Sequence, residues 1–224
     1  MNQTLQNLIA AEQKAAQLFS EIEARGMISA GKTEKELNTD VYDLALEMFG
    51  ISKYWHKRIV RAGKNTLAPY DENPPNLILQ NDDIVFLDFG PVFDEWEADF
   101  GRTYVVGNDA KKHKLKQDIE LAWKHCRDYF LTQTSITGAQ YFDFAVKSAA
   151  KFGWEFGGPI AGHLIGHFPH ERLDKEDKTN YIHPDNHVDM FAPDTEGNKR
   201  EWILEIHFID ASAEIGGFFE QLLV

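Results

Sequence analysis

Apolar residues recur at helical spacing in four segments of the chain. In the second segment, Thr33 stands three residues before Glu36, which is the spacing of a capping box, and Gly50 follows the last apolar position. The pattern therefore predicts four amphipathic helices, arranged as two consecutive pairs. The predicted helices cover residues 5–24, the stretch between Thr33 and Gly50, residues 109–132 and residues 138–152.

Shorter apolar runs follow each pair of helices and predict β-strands. Residues 84–106 have the pattern of two strands joined by a turn, and further strands are predicted near residues 158–168 and 202–222. Residues 62–83, rich in Pro and Asn, are predicted as loop, and residues 172–200 as a polar surface excursion. Helix, helix, loop and strands thus occur twice at an offset of roughly 110 residues, which indicates two pseudo-equivalent halves sharing one core.

The segment FLDFGPVFDEWEADFGRT, residues 86–103, contains Asp88 inside an apolar strand and a second acid, Asp99, further along. If the two strands fold about Phe93 and Asp94, Asp88 lies directly opposite Asp99 with Cβ atoms about 5 Å apart. Two facing carboxylates are destabilising unless one is protonated or a cation lies between them. The alternative is a surface hairpin with solvated acids, and the pairing itself depends on the register.

Three more ligating groups stand alone in apolar surroundings later in the chain. They are His163 in GGPIAGHLIGHFPHE, Glu205 in WILEIHFID and Glu220 in GGFFEQLLV, and His207 shares a strand face with Glu205. With the two aspartates they make four carboxylates and one imidazole, a charge of about −4 that two divalent cations would cancel. Such oxygen-rich coordination suits manganese, cobalt, iron or zinc. A water that bridges two such ions loses its proton near neutral pH and becomes a nucleophile.

The remaining histidines have competing interpretations. His163, His167 and His170 have the spacing of a metal-binding face on a helix, but the neighbouring glycines and Pro169 oppose a regular helix. His56, in KYWHKRIVRAG, is flanked by basic and aromatic residues, and for it a structural role competes with a functional one.

Composition and charge narrow the function classes. The chain has 224 residues, 43% of them hydrophobic, so we expect residues 1–224 to form a single domain. Lys and Arg number 23 against 36 Asp and Glu, and the net charge of −13 argues against nucleic acid and anionic membranes as partners. The single cysteine, Cys126, excludes an intrachain disulfide. Without a signal-like start or a membrane-length apolar run, a soluble cytoplasmic protein is expected.

The motifs, taken in order, resemble a known family. LDFGPVFDEWEADFGRT, then GHLIGHFPHE, then LEIHF, followed by Glu220, are similar to the metallopeptidases of the methionine aminopeptidase, aminopeptidase P, prolidase and creatinase group. The resemblance spans nearly the whole chain. It implies an α+β pita-bread fold, in which two pseudo-symmetric helix-helix-strand halves around a curved antiparallel sheet enclose two divalent metal ions.

The resemblance also implies a role for each ligand. Asp88 would chelate one metal, and Asp99 and Glu220 would bridge both. His163 would complete the first site. Glu205 would bind metal and handle the proton of the bridging water.

For substrate contacts the match is less complete. His170 matches the family's second histidine, which hydrogen-bonds the substrate carbonyl and helps to stabilise the tetrahedral intermediate. The family's usual histidine before the first aspartate is replaced here by residues 69–71. We therefore expect Tyr70 or His56 to take its place, with His207 as a third candidate for substrate contact.

The expected activity is removal of an N-terminal residue from short peptides, of Xaa-Pro type or directed at dipeptides. A dedicated initiator-methionine enzyme is disfavoured because the methionine-pocket residues have no counterparts. We expect instead a small relative without the auxiliary N-terminal domain of aminopeptidase P and prolidase. Two alternatives stay open: a scaffold without peptidase activity that acts as a binding module, and a creatinase-like enzyme that hydrolyses a non-peptide C–N bond. Small members of this fold are often dimers, so a homodimer is expected.

Overall fold

The computed structural model describes residues 3–169 and 177–224. Four long helices occur in this part of the chain, in the two consecutive pairs that the apolar periodicity predicts. Short 3-10 turns add Gly63–Leu67 and Lys178–Asn180. The helices are α1, Gln3–Ala24; α2, Glu34–Phe49; α3, Ala110–Leu131; and α4, Gly138–Phe152.

The second helix of each pair has the same start and the same end. Thr33 and Thr137 each accept a hydrogen bond from the backbone of the third helical residue, whose side chain bonds back to the threonine backbone. Gly50 and Gly153 end these helices in the left-handed conformation, with φ of 68° and 85°. Both halves of the chain therefore contain one locally encoded helix of similar length at the same place in the order of elements.

Six strands form one antiparallel sheet with the order β1-β2-β5-β8-β7-β6, and β3 pairs with β4 in a separate two-stranded ribbon. The first half of the chain contributes β1, β2 and β5, and the second half contributes β8, β7 and β6 in mirrored order, so the two halves meet between β5 and β8. The strands are β1, Ile59–Ala62; β2, Ile84–Phe89; β3, Val92–Phe93; β4, Trp96–Glu97; β5, Phe100–Val105; β6, Glu155–Phe156; β7, Ile203–Asp210; and β8, Ile215–Leu222.

The helix α2 packs on strands of the first half and α3 on strands of the second, whereas α1 also contacts β7 and β8 through Leu8. Leu37 and Val41 of α2 join a buried cluster with Leu87 of β2. In the other half, Trp123 of α3 is buried and its indole Nε1 donates a hydrogen bond to the carbonyl of Leu204, 2.8 Å away. The helices thus cover one face of the sheet and hold its strands in place, and no helix within the described residues is long and apolar enough to cross a membrane.

One predicted strand is replaced by irregular backbone. Residues 158–168 form no continuous strand. Within the described residues they make isolated bridges, among them His163 with Tyr181 and Leu164 with Trp202. Gly162 explains the irregularity, because its φ is 139° and a Cβ there would lie 2.0 Å from the carbonyl oxygen of Ile203.

Candidate metal centre

Three of the predicted ligands lie in one row across the sheet. Asp88 on β2 is directly opposite Gly101 on β5, Gly101 is opposite Glu220 on β8, and Glu220 is opposite Glu205 on β7. Residues in such a row share one face of the sheet, so the three carboxylates point the same way. Gly101 has no side chain to fill the space between Asp88 and Glu220; a Cβ there would lie 3.0 Å from the Glu220 Cβ.

The predicted register of the first hairpin was wrong by two residues. Asp88 pairs with Gly101 rather than with Asp99. The turn lies at Asp94 and Glu95, whose φ values of 49° and 69° are those of a two-residue hairpin turn, one residue later than predicted. Because side chains alternate with a period of two, a shift by two residues leaves Asp99 on the same side as Asp88.

Asp99 lies just before β5 and is the centre of the cluster, with only 2% of its surface exposed. Its two oxygens are contacted by different imidazoles. His163 Nε2 is 3.0 Å from Oδ2 of Asp99 and 3.9 Å from Oε1 of Glu220. His56 Nε2 is 3.1 Å from Oδ1 of Asp99 and 3.5 Å from Oδ1 of Asp88.

Two overlapping groups of side chains can therefore hold a cation each. The His56 site consists of His56, Asp88 and Asp99, and the His163 site consists of Asp99, His163 and Glu220. In each group the ligand atoms lie within 4.8 Å of one another. Sharing Asp99 between two sites is the arrangement expected of a bridging carboxylate.

Burial and mutual repulsion change the protonation of the carboxylates. Burial, reinforced by the nearby Asp99, raises the pKa of Asp88 to about 7 despite the attraction of His56. Burial also raises the pKa of Glu205, and burial with the surrounding carboxylates raises the pKa of Glu220 well above its usual range. Burial acts on Asp99 as well, but the charges and hydrogen bonds of His56 and His163 outweigh it and hold the pKa of Asp99 below its usual range.

The two histidines respond in the opposite sense. Burial by itself would lower the pKa of each, but Asp99 and Asp88 raise the pKa of His56 to about 9, and the hydrogen bond to Asp99 raises that of His163. Without metal, positive imidazolium groups and protonated carboxyls therefore balance the buried charge. Metal ions can replace these protons, because both act on the same ligand atoms.

Two buried carboxylate oxygens give a further reason why these residues fit a pair of divalent ions. Among the residues that the structure describes, Oδ1 of Asp88 and Oε2 of Glu220 are buried and have no hydrogen-bond partner. An unsatisfied buried carboxylate oxygen is costly unless a cation completes it. The donor set of carboxylates and imidazoles suits manganese, iron, cobalt or zinc, and the structure does not distinguish among them.

The residues predicted to contact substrate are dispersed. Tyr70 is 44% exposed, and its ring centroid lies 6.0 Å from that of His56. His207 is buried, and its Nε2 donates to the carbonyl of Thr66 at 2.8 Å, which ties β7 to the 3-10 turn. His167 is exposed and packs edge-on against Trp96. His170 lies outside the described residues.

A cavity of about 580 Å³ lies between α2 and β1, and the residues that line it include none of the ligands described above. Ile59, which pairs with Asp88, is part of its wall, as are the cationic side chains of Lys57, Arg58 and Arg61. Arg61 is 9% exposed, and its Nε has no hydrogen-bond partner among the described residues. This wall is suited to a negatively charged group of a ligand.

Sequence reasoning missed the direct contact of His56 with Asp99 and Asp88. His56 stands alone between basic and aromatic residues, and no sequence pattern links it to Asp88 and Asp99, which follow it by 32 and 43 residues.

Comparison with known proteins identifies sequences similar to this chain. The sequence profile of Metallopeptidase family M24 matches residues 6–194. An Xaa-Pro dipeptidase from Pyrococcus horikoshii is 28% identical over 156 residues, which are 68% of this chain and 43% of that protein.

Solved structures show the same fold. A dipeptidase from Pyrococcus horikoshii matches 95% of this chain and 55% of its own with a TM-score of 0.74 and 23% identity. An X-Pro aminopeptidase from Thermotoga maritima matches 98% of this chain and 60% of its own with a TM-score of 0.77 and 18% identity. A methionine aminopeptidase from Rickettsia prowazekii matches 97% of this chain and 91% of its own with a TM-score of 0.71 and 17% identity. The chain spans about half the length of the two dipeptidase matches, and the predicted pita-bread fold is confirmed.

Proposed function

The chain belongs to metallopeptidase family M24, and we propose that it is a dinuclear metal-dependent peptidase that removes the N-terminal residue from short peptides, with proline favoured in second position. The observation that carries the proposal is the convergence of side chains from distant parts of the chain into two groups that share Asp99, namely His56, Asp88 and Asp99, and Asp99, His163 and Glu220. The Xaa-Pro preference is supported by the Xaa-Pro dipeptidase and X-Pro aminopeptidase among the similar proteins.

Each residue has a defined task in this proposal. Two bound divalent ions would supply the Lewis acidity that activates a water and polarises the scissile carbonyl. Asp88 and His163 would each hold one ion, Asp99 and Glu220 would be shared between the two, and Glu205 would also bind metal. Glu205, opposite Glu220 in the row, would accept the proton of the attacking water and deliver it to the leaving amine.

His170 would donate a hydrogen bond to the scissile carbonyl and stabilise the oxyanion of the tetrahedral intermediate. Tyr70, beside His56, and His207 stay proposed substrate contacts. The cationic wall of the cavity at β1 supports a short substrate, because Arg61 and its neighbours can bind the free carboxylate at the peptide's C-terminus.

The test uses the purified chain loaded with Mn²⁺ or Co²⁺ against Xaa-Pro dipeptides, tripeptides and the same peptides amidated at the C-terminus. We expect metal-dependent turnover, with a lower KM for the free carboxylates. Asp99→Asn should abolish turnover, and His170→Ala should lower kcat by about 10²–10³. His167→Ala, at an exposed histidine between His163 and His170 in the sequence, is the matched control and should keep the wild-type rate.

Stoichiometric metal binding without turnover of any peptide would contradict the peptidase and favour a binding module. Turnover that persists in excess chelator, on amidino compounds but not on peptides, would instead indicate a creatinase-like hydrolase.

A further inference from the structure

We propose that His56 is an additional metal ligand, so that the ion beside Asp88 is bound by an imidazole nitrogen as well as by carboxylates. The resemblance to known peptidases assigns a nitrogen ligand only to the side of His163. Here Asp99 lies between two imidazoles, with His56 Nε2 3.1 Å from Oδ1 and His163 Nε2 3.0 Å from Oδ2. The proposal rests on the metal centre of the proposed function and not on its substrate.

Of the two distances around His56, one is that of atoms that share one ion and the other is just above that range. Two ligand atoms bound at about 2.1 Å to the same ion lie about 3.0–3.4 Å apart for octahedral or tetrahedral angles. His56 Nε2 is 3.1 Å from Oδ1 of Asp99 and 3.5 Å from Oδ1 of Asp88. The second distance is too long for a good hydrogen bond, and Oδ1 of Asp88 has no hydrogen-bond partner among the described residues. A cation among these three atoms satisfies all of them.

The tautomer of His56 is also that of a ligand. Its Nδ1 lies 2.8 Å from the carbonyl oxygen of Lys57, to which it donates, so the lone pair of the neutral ring is on Nε2 and faces the carboxylates. His163 has the same arrangement, since its Nδ1 lies 2.7 Å from the carbonyl oxygen of the following residue, Leu164. Each histidine is therefore oriented by the carbonyl of its own next residue.

The backbone holds His56 against the hairpin that bears Asp99. Trp55 donates from its backbone N–H to the carbonyl of Gly90 at 2.9 Å, and its indole Nε1 donates to the carbonyl of Ala98 at 3.0 Å. At Gly90 a Cβ would lie 2.2 Å from Cδ2 of His56, so this position leaves room for the ring only when it is glycine. The side chain of His56 is 8% exposed, which excludes a ring that merely swings in solvent.

The place of Asp99 in the fold gives a third reason. The two halves of the sheet meet at β5 and β8, and Asp99 lies just before β5. One histidine from each half contacts it, His56 at Oδ1 and His163 at Oδ2.

An imidazole nitrogen bound to each of the two ions changes which metals the centre prefers. Imidazole favours zinc, iron, cobalt and nickel over manganese, whereas carboxylate oxygens alone suit manganese and magnesium. Loss of His56 should therefore weaken Co²⁺ binding more than Mn²⁺ binding.

The experiment titrates the metal-free chain with Co²⁺ and Mn²⁺ by calorimetry and records proton NMR of the Co²⁺-loaded protein. We expect two hyperfine-shifted, solvent-exchangeable imidazole N–H signals, from Nδ1 of His56 and of His163. In His56→Ala one signal should vanish, and the affinity for one of the two Co²⁺ ions should fall by at least about tenfold. His167→Ala is the control and should keep both signals and both affinities.

Where His56→Ala lowers the folded fraction, His56→Gln is measured in the same way, because the amide retains volume and polarity. Both signals surviving in either folded variant, or unchanged Co²⁺ affinity with only a raised KM for peptides, would overturn the proposal and make His56 a substrate contact. Neither readout requires turnover, so a chain that cleaves no peptide can still confirm or refute the ligand.

Discussion

Glu205 and Glu220 lie directly opposite each other on β7 and β8, and their carboxyl groups share a hydrogen bond. Burial raises the pKa of both side chains, and a hydrogen bond between two carboxyl groups requires that one carries a proton. The proton therefore keeps two acidic side chains together in the metal-free protein. A cation can take its place, which explains why these strands hold acids at facing positions.

Divalent metal should stabilise the folded chain through this cluster. Binding to the folded state alone adds about 2.7 kcal/mol at a metal concentration of 100 times the dissociation constant. We expect Mn²⁺ or Co²⁺ to raise the midpoint of thermal unfolding, with a shift that grows with metal concentration. In Glu220→Gln this shift should be largely lost, because the amide cannot bridge two ions, while the metal-free midpoint changes little.

The control for this measurement is Glu196→Gln, on an exposed loop, which should keep the full shift. A wild-type midpoint that does not respond to Mn²⁺, Co²⁺ or Zn²⁺ would contradict a metal centre.

Metal affinity should rise with pH. The pKa of Asp88 is about 7 and that of His56 about 9, and both groups must lose their protons to bind a cation, as must Glu220 and His163. Protons compete with metal at low pH, so the apparent Co²⁺ affinity should increase by at least about tenfold between pH 6 and pH 8.

Calorimetry in two buffers of different ionisation enthalpy counts the protons, and we expect a net release at pH 7. Binding that is independent of pH, with no protons released, would show that the buried cluster is already deprotonated.

The helices were predictable because their signals are local. Periodicity and a threonine cap identify α2 between Thr33 and Gly50 without reference to the rest of the chain. The hairpin register could not be predicted, because the apolar alternation is the same for a turn at residues 93–94 and for a turn at Asp94 and Glu95. Only the backbone φ values distinguish the two turns.

The ligand set of the candidate site was predicted from lone acids in apolar strands and from the family resemblance, yet the place of His56 was not. Its segment pairs with Gly90 and Pro91 through backbone contacts between residues far apart in sequence, and these have no periodic signature. The space that Gly90 leaves for the ring is likewise visible only in three dimensions.

Gly90 should not tolerate a side chain. In Gly90→Ala the added methyl group would lie 2.2 Å from His56 and 2.4 Å from Trp55, so both rings must shift. We expect a loss of about 1–3 kcal/mol in the free energy of urea unfolding and weaker Co²⁺ binding. Gly26→Asn is the comparison: φ there is 60°, nothing lies within 4 Å of an added Cβ, and asparagine adopts this conformation readily. Equal stability losses for the two variants would argue against tight packing around His56.

Glu12 should make the folded chain less stable as pH rises. This α1 side chain accepts a hydrogen bond from the backbone N–H of Leu222, and burial raises its pKa from 4.5 to about 7. A carboxyl whose folded pKa is raised disfavours folding once it is ionised. The cost of its ionisation in the free energy of folding is absent well below pH 4.5, grows between pH 4.5 and 7, and is constant above pH 7.

Glu12→Gln removes this titration and keeps an acceptor for Leu222. In chelator, urea unfolding should show the variant more stable than wild type by about 1–3 kcal/mol at pH 8, a range that allows for partial solvent screening of the side chain, and by less than about 1 kcal/mol at pH 5. Glu23→Gln, on the exposed face of the same helix, should follow the wild type at both pH values. If Glu12→Gln also followed the wild type at pH 8, Glu12 would be ionised without penalty, and its contact with β8 would not depend on a proton.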